Sequence, residues 1–161
     1  MSVAASPRPR STLGLLVSLA ACFGAAGLGG YWTSMGLGPW FDGLRKPGWN
    51  PPAWAFGPVW SLLYLGMAIA AWRVWRVDGW GRPLALFGAQ LALNAGWTGL
   101  FFALRRPDLA LVEIIVLWLT IAATTRAFAR RDTTAAVLLL PYLAWVAFAG
   151  ALNAAIWRLN M

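Results

Sequence analysis

Long runs of apolar residues without a single charge dominate the chain. Residues 11–41, 53–72, 84–104 and 133–157 contain no Asp, Glu, Lys or Arg, and residues 109–125 carry only Glu113. A helix needs about 20 apolar residues to cross a hydrocarbon core of about 30 Å. The pattern therefore predicts five membrane-spanning helices, over about 13–32, 52–76, 83–104, 109–129 and 133–158. Barrel strands would alternate apolar and polar residues over segments of about ten, and nothing here does so. Helices satisfy their own backbone in lipid, so the fold class is an all-α integral membrane bundle.

Connections between the last four spans are short, charged and rich in turn formers: Arg76, Asp78, Gly81 and Arg82, then Arg105 to Asp108, then Arg130 to Asp132. Each predicts a pair of antiparallel neighbours. The connection between the first two spans is different. Residues 33–50 are rich in Gly, Pro and Trp, and a loop of that length is usually functional, which makes it a candidate lid.

Composition sharpens this picture. Of 161 residues 60% are apolar and 11% charged, with a mean hydropathy of +0.64, well away from the balance of a soluble domain. There is no histidine and one cysteine, Cys22, so an intrachain disulfide, a Cys/His zinc site, a Ser-His-Asp triad and histidine-ligated haem are excluded. The net charge of +8 comes from basic residues flanking the spans, which fits a membrane protein and not a nucleic-acid surface. Eight of the 13 basic residues (Arg8, Arg10, Arg73, Arg76, Arg82, Arg126, Arg130, Arg131) fall on the N-terminal side and five on the other. That bias favours a cytoplasmic N-terminus and an external lid. Arg8 and Arg10 ahead of an apolar run ending at Cys22 resemble a lipoprotein signal. The run continues to Trp32, longer than a signal core of about 7–15 residues, so Cys22 reads as a mid-helix residue.

Twelve tryptophans remain to be explained. Trp72, Trp75 and Trp80 suit an interfacial belt. The segment KPGWNPPAWAFGPVWSLLY, residues 46–64, places Asn50 and Pro51 as cap and first residue of span 2, and Pro58 predicts a kink. On either side of Pro58, Phe56, Trp60 and Tyr64 share one face. On span 3, Gln90, Asn94, Trp97 and Phe101 lie on one side, and amides within a span must face the bundle or a cavity. Gly88, Ala92 and Gly96 form a small-residue row on another face, either an internal packing seam or a dimer face. On span 5, Tyr142, Trp145, Ala149, Leu152 and Asn153 align, and Pro141 interrupts the helix. Each aromatic stripe is consistent with simple helix packing or with the wall of an apolar pocket carrying sparse polar points, suited to a flat hydrophobic ligand. Glu113 is either a proton relay or a carboxylate explained by interfacial depth or by a salt bridge to Arg105 or Arg106.

The motifs resemble the tryptophan-rich sensory protein (TspO) family, which includes the translocator proteins or peripheral-type benzodiazepine receptors. The resemblance covers about residues 39–160. It rests on Pro39-Trp40-Phe41-Asp42, on Lys46-Pro47 through Pro52, on Ala89-Gln90-Leu91 with Asn94, Trp97 and Thr98, on Pro141-Tyr142-Leu143 with Trp145, and on Leu152-Asn153 before Trp157-Arg158. It implies a single five-helix domain in a bacterial membrane, commonly a homodimer packed along Gly88, Ala92 and Gly96. It also implies a cavity closed by the first loop that binds porphyrins such as protoporphyrin IX or a haem-like molecule, with no resident cofactor, metal or nucleic acid. The cavity residues implied are Trp40, Trp49, Phe56, Trp60, Tyr64, Asn94, Trp97, Trp145, Ala149 and Leu152. The expected role is transport, sensing or regulation of tetrapyrroles under light or oxygen stress. The alternatives are light-dependent porphyrin degradation in the same cavity, for which no general acid, base or other catalytic residue is evident, and a proton-coupled exporter using Glu113. Alanines before Arg158, where animal members carry tyrosine, weigh against a sterol motif.

Overall fold

The computed structural model describes residues 9–161, so the charge assigned to Arg8 lies outside the described residues, as does the side chain of Arg10. Its helices are α1 (Pro9–Gly36), a short α2 (Pro39–Gly43), α3 (Ala53–Asp78), α4 (Arg82–Thr98), α5 (Pro107–Ala129) and α6 (Thr133–Leu159), with no strand among the described residues. α1, α3, α5 and α6, and α4 with its continuation to Ala103, are long and apolar enough to cross a membrane. The chain is a five-span, all-helical integral membrane protein. Apolar side chains such as Leu62, Val112 and Val137 face outward, as a surface solvated by lipid allows.

Local chemistry sets the ends. α2 and α5 begin with a proline and α4 carries Pro83 as its second residue, positions where the missing N–H has no intrahelical partner. α6 is capped by Asp132, which accepts the Ala135 N–H at 2.9 Å and pairs with Arg73 at 2.9 Å. That amide, with the nearby guanidinium, holds its carboxyl below the usual range. The start of α3 differs from expectation. Asn50 and Pro51 both precede a proline, which disfavours helical backbone at both. Pro51 and Pro52 therefore stay outside the helix, which opens at Ala53, and Asn50 donates to the Pro51 carbonyl at 2.9 Å instead of capping. α3 and α6 continue through Pro58 and Pro141.

Packing order differs from chain order. α1 lies against α3 and α4, α3 against α6, α6 against α5, and α5 against α4. The expected close pairing of α3 with α4 is thus largely replaced by α1 packed on both. A short turn such as 79–81 fixes only one end of a helix pair and leaves the other free to splay. That turn lies at the same end as the α5–α6 turn, where Arg131 reaches Asp78 at 3.3 Å. At the opposite end the α1–α3 connection meets the C-terminal end of α6, through Arg45 and Asn160. The interior between them is filled by Met67, Val74, Leu117, Ile121, Phe128 and Leu139, all essentially buried, with Phe87 stacked on Phe128 at 5.9 Å.

Span 3 does not stay α-helical to its end. Residues Gly99–Ala103 form a π-turn, closed by the Leu104 N–H on the Gly99 carbonyl at 2.9 Å. One added residue per turn rotates the side chains that follow, and such turns recur at functional sites. Here it buries Phe101 and brings Phe102 against α1. A Cβ on Gly36 would stand 2.6 Å from the Phe102 carbonyl oxygen, so only glycine permits that approach.

Candidate ligand-binding cavity

The aromatic faces of α3, α4 and α6 converge on a cavity of about 250 Å³ under the α1–α3 connection. Phe56 and Trp60 line it from α3, Trp97 from α4, and Trp145, Ala149, Leu152, Asn153 and Ile156 from α6. The π-turn contributes Phe101 and Phe102, the end of α1 contributes Thr33, with Leu37 just beyond it, and the connection closes it with Phe41, Asn50 and Pro51. The rings meet edge to face: Trp60 and Trp145 at 6.5 Å, Phe56 and Trp145 at 6.0 Å. These geometries suit the aromatic quadrupole and leave flat faces available to a ligand.

Polar points in this wall are few. The Trp97 indole N–H donates to Asn153 Oδ1 at 3.0 Å, and Asn153 Nδ2 donates to the Pro107 carbonyl at 2.8 Å, so both are satisfied by the protein. The Trp145 indole nitrogen is different: it is buried and has no hydrogen-bond partner. An unpaired buried donor costs about 1–3 kcal/mol, which a ligand acceptor would recover.

Six of the ten residues expected in the cavity line it: Phe56, Trp60, Trp97, Trp145, Ala149 and Leu152. The structure places the other four elsewhere. Tyr64 and Asn94 sit below the cavity in a buried network. There the Tyr64 hydroxyl donates to Asn94 Oδ1 at 2.5 Å, Asn94 Nδ2 donates to the Tyr142 hydroxyl at 3.0 Å, and that hydroxyl donates to Gln90 Oε1 at 2.8 Å. The Trp60 ring, 5.7 Å from Tyr64 and 6.3 Å from Tyr142, touches both regions. Trp40 and Trp49 form an outer layer. Trp40 stands edge-on to Phe101 at 6.1 Å, and the half-exposed Trp49 stands edge-on to Phe148 at 5.7 Å, itself 5.3 Å from Trp145. Among the lining residues not singled out for the site, Phe101 and Asn153 lay on faces already marked by their spacing. Thr33 and Phe102 carried no such signal, because the π-turn and the packing of α1 decide their direction.

The row on α4 faces outward. Gly88 and Ala92 are exposed, and nothing lies within 4 Å of a Cβ built on Gly88. Such a Cβ on Gly96 would lie 3.8 Å from a Glu113 carboxylate oxygen. Glu113 has both oxygens buried without a partner. The expected pairing with Arg105 or Arg106 is not made: Arg106 is held by Asp108 at 2.6 and 2.9 Å, and the Arg105 guanidinium lies 5.7 Å from the Trp40 ring. Glu113 does not line the aromatic cavity. No group of three or more His, Cys, Asp or Glu that could hold a metal occurs among the described residues.

Comparison with known proteins agrees with this architecture. The family model described as TspO/MBR family matches residues 16–158. The chain is 48% identical over 121 residues to a tryptophan-rich sensory protein of Cereibacter sphaeroides, covering 75% of this chain and 77% of that protein. It is 40% identical over 153 residues to the tryptophan-rich protein TspO of Chlorobaculum tepidum (92% and 96%), and 44% identical over 126 residues to the translocator protein of Homo sapiens (75% of each). With the match running through all five spans, the chain belongs to the TspO/MBR family.

Proposed function

We propose that this protein binds a flat, hydrophobic, porphyrin-type ligand in the aromatic cavity and serves in its transport or sensing. The relatives' names, sensory protein and translocator protein, support the general role. The observation that carries the ligand class is the buried, unpartnered Trp145 N–H beside a wall of aromatic and aliphatic side chains with few polar groups. A planar pigment with carboxylate or carbonyl groups offers both a surface for stacking and an acceptor for that donor.

Titration of the purified protein with protoporphyrin IX in the dark tests this, read by saturable quenching of tryptophan fluorescence. Illumination of the same sample, with product analysis, tests degradation. Trp145→Phe keeps the aromatic surface and removes the donor, so affinity followed by porphyrin absorbance is expected to fall about tenfold, for a hydrogen bond of about 1–2 kcal/mol. Unchanged affinity would remove Trp145 from the site.

The exposed α4 row is, in the same proposal, the face on which a second copy packs, since small residues let backbones approach closely. Ala92→Trp raises a large side chain on that face and is expected to shift the detergent-corrected mass from dimer to monomer. A wild-type protein that is monomeric at all concentrations would contradict it.

A further inference from the structure

The wall of the cavity that comes from outside the spans hangs on residues 44–52, which lie outside any helix. Among the described residues, only one set of hydrogen bonds ties this segment to a distant element. The Arg45 N–H donates to Asn160 Oδ1 at 3.0 Å, and Asn160 Nδ2 donates back to the Arg45 carbonyl at 2.9 Å. A primary amide is the side chain that offers a donor and an acceptor in one plane, so Asn160 pairs with both backbone groups of one residue, as a neighbouring strand would. Its Nδ2 also donates to the Ile156 carbonyl at 2.7 Å, which fixes the amide to the last turn of α6. Ile156 lines the cavity.

Further contacts hold the segment together around this tie. The Lys46 ammonium lies 4.3 Å over the Phe41 ring and bonds the Phe41 carbonyl, which ties the end of α2 to the residue after Arg45. Phe41 on one side of Arg45 and Asn50 and Pro51 on the other all form cavity wall. With the segment in place the cavity holds about 250 Å³, below the range of about 300–1,000 Å³ typical of small-molecule sites. A tetrapyrrole therefore requires the segment to lift. The tie that must open is exposed to water, where broken hydrogen bonds are replaced, so it can open reversibly.

We propose that Asn160 is the latch of the lid: a positioning residue, touching no ligand, that sets the closed state and governs ligand exchange. This rests on the cavity reading given above. The test uses the full-length protein in lipid nanodiscs with Asn160→Ala and, as a milder variant, Asn160→Asp, which keeps the acceptor and loses the donor. Amide hydrogen exchange in the peptide containing Arg45 is expected to accelerate at least about tenfold in Asn160→Ala and less in Asn160→Asp, with exchange in α4 and α5 unchanged. Association and dissociation rates of protoporphyrin IX are expected to rise together, several-fold, with a small change in affinity. Exchange at Arg45 equal to wild type overturns the latch. Faster exchange with unaltered ligand rates overturns its control of access. If wild-type protein binds no porphyrin, the cavity reading fails while the exchange measurement still decides whether Asn160 holds the lid.

Discussion

Replacing Ala149 with Phe is expected to weaken the proposed porphyrin binding about 100-fold while the bundle stays folded. Ala149 lines the cavity from the centre of α6, between Trp145 and Asn153, and is almost buried. A phenyl ring there points into a space of about 250 Å³ already bounded by Trp60, Trp97 and Trp145. In a packed core such an insertion costs about 1–3 kcal/mol through forced rotamers. Here a void receives much of the ring, so the thermal midpoint is expected to change little. The ligand then meets a filled slot. A loss of about 100-fold in affinity, roughly 3 kcal/mol, is the expected result of a quenching titration. Wild-type affinity in this variant would show that porphyrin binds elsewhere, whatever Trp145→Phe does.

The sequence discloses the spans because the physics that specifies them is local: runs of about 20 uncharged apolar residues have one stable state in lipid. It discloses six cavity residues for a related reason. Helical spacing puts Trp97 beside Asn94, and Trp145 beside Ala149 and Leu152, and the polar member of each stripe has to turn inward. What spacing does not encode is where a stripe stops being wall and becomes floor. Asn94 and Tyr64 lie on the same faces as Trp97 and Trp60, but they are more deeply placed and consumed by one another. The lid is less legible still. Trp40 and Trp49 have the composition of ligand contacts, yet their positions follow from the packing of Phe101 and Phe148 and from a tie to a residue 115 positions away. The π-turn at Gly99–Ala103 is equally hidden, since nothing in GLFFA distinguishes it from one more α-helical turn. Gly36 and the Phe102 backbone have to meet before its geometry makes sense.

Asn94→Leu separates the floor from the wall and is expected to produce the larger stability change. Asn94 is buried at 2% exposure and joins three helices, accepting from Tyr64 of α3 and donating to Tyr142 of α6. Leucine matches its size approximately, so the loss is one of hydrogen bonding and not of volume. Single interhelical hydrogen bonds in membrane proteins average about 0.6 kcal/mol, because partners are found in the unfolded state as well. Asn94 differs in breaking two at once and in leaving the Tyr64 hydroxyl without an acceptor inside a dry bundle. The penalty for an orphaned buried group, about 1–3 kcal/mol, is then the larger effect. A destabilisation of about 2 kcal/mol is expected in denaturant unfolding in bicelles. Adding Tyr64→Phe to this variant removes the orphan, and about half of the loss should return. Porphyrin affinity should stay within about threefold of wild type, since neither residue lines the cavity. A large fall in affinity with unchanged stability would return Asn94 to the ligand and require the Trp60 ring to admit it, whereas recovery on removing the Tyr64 hydroxyl marks the network as the frame on which the aromatic wall is mounted.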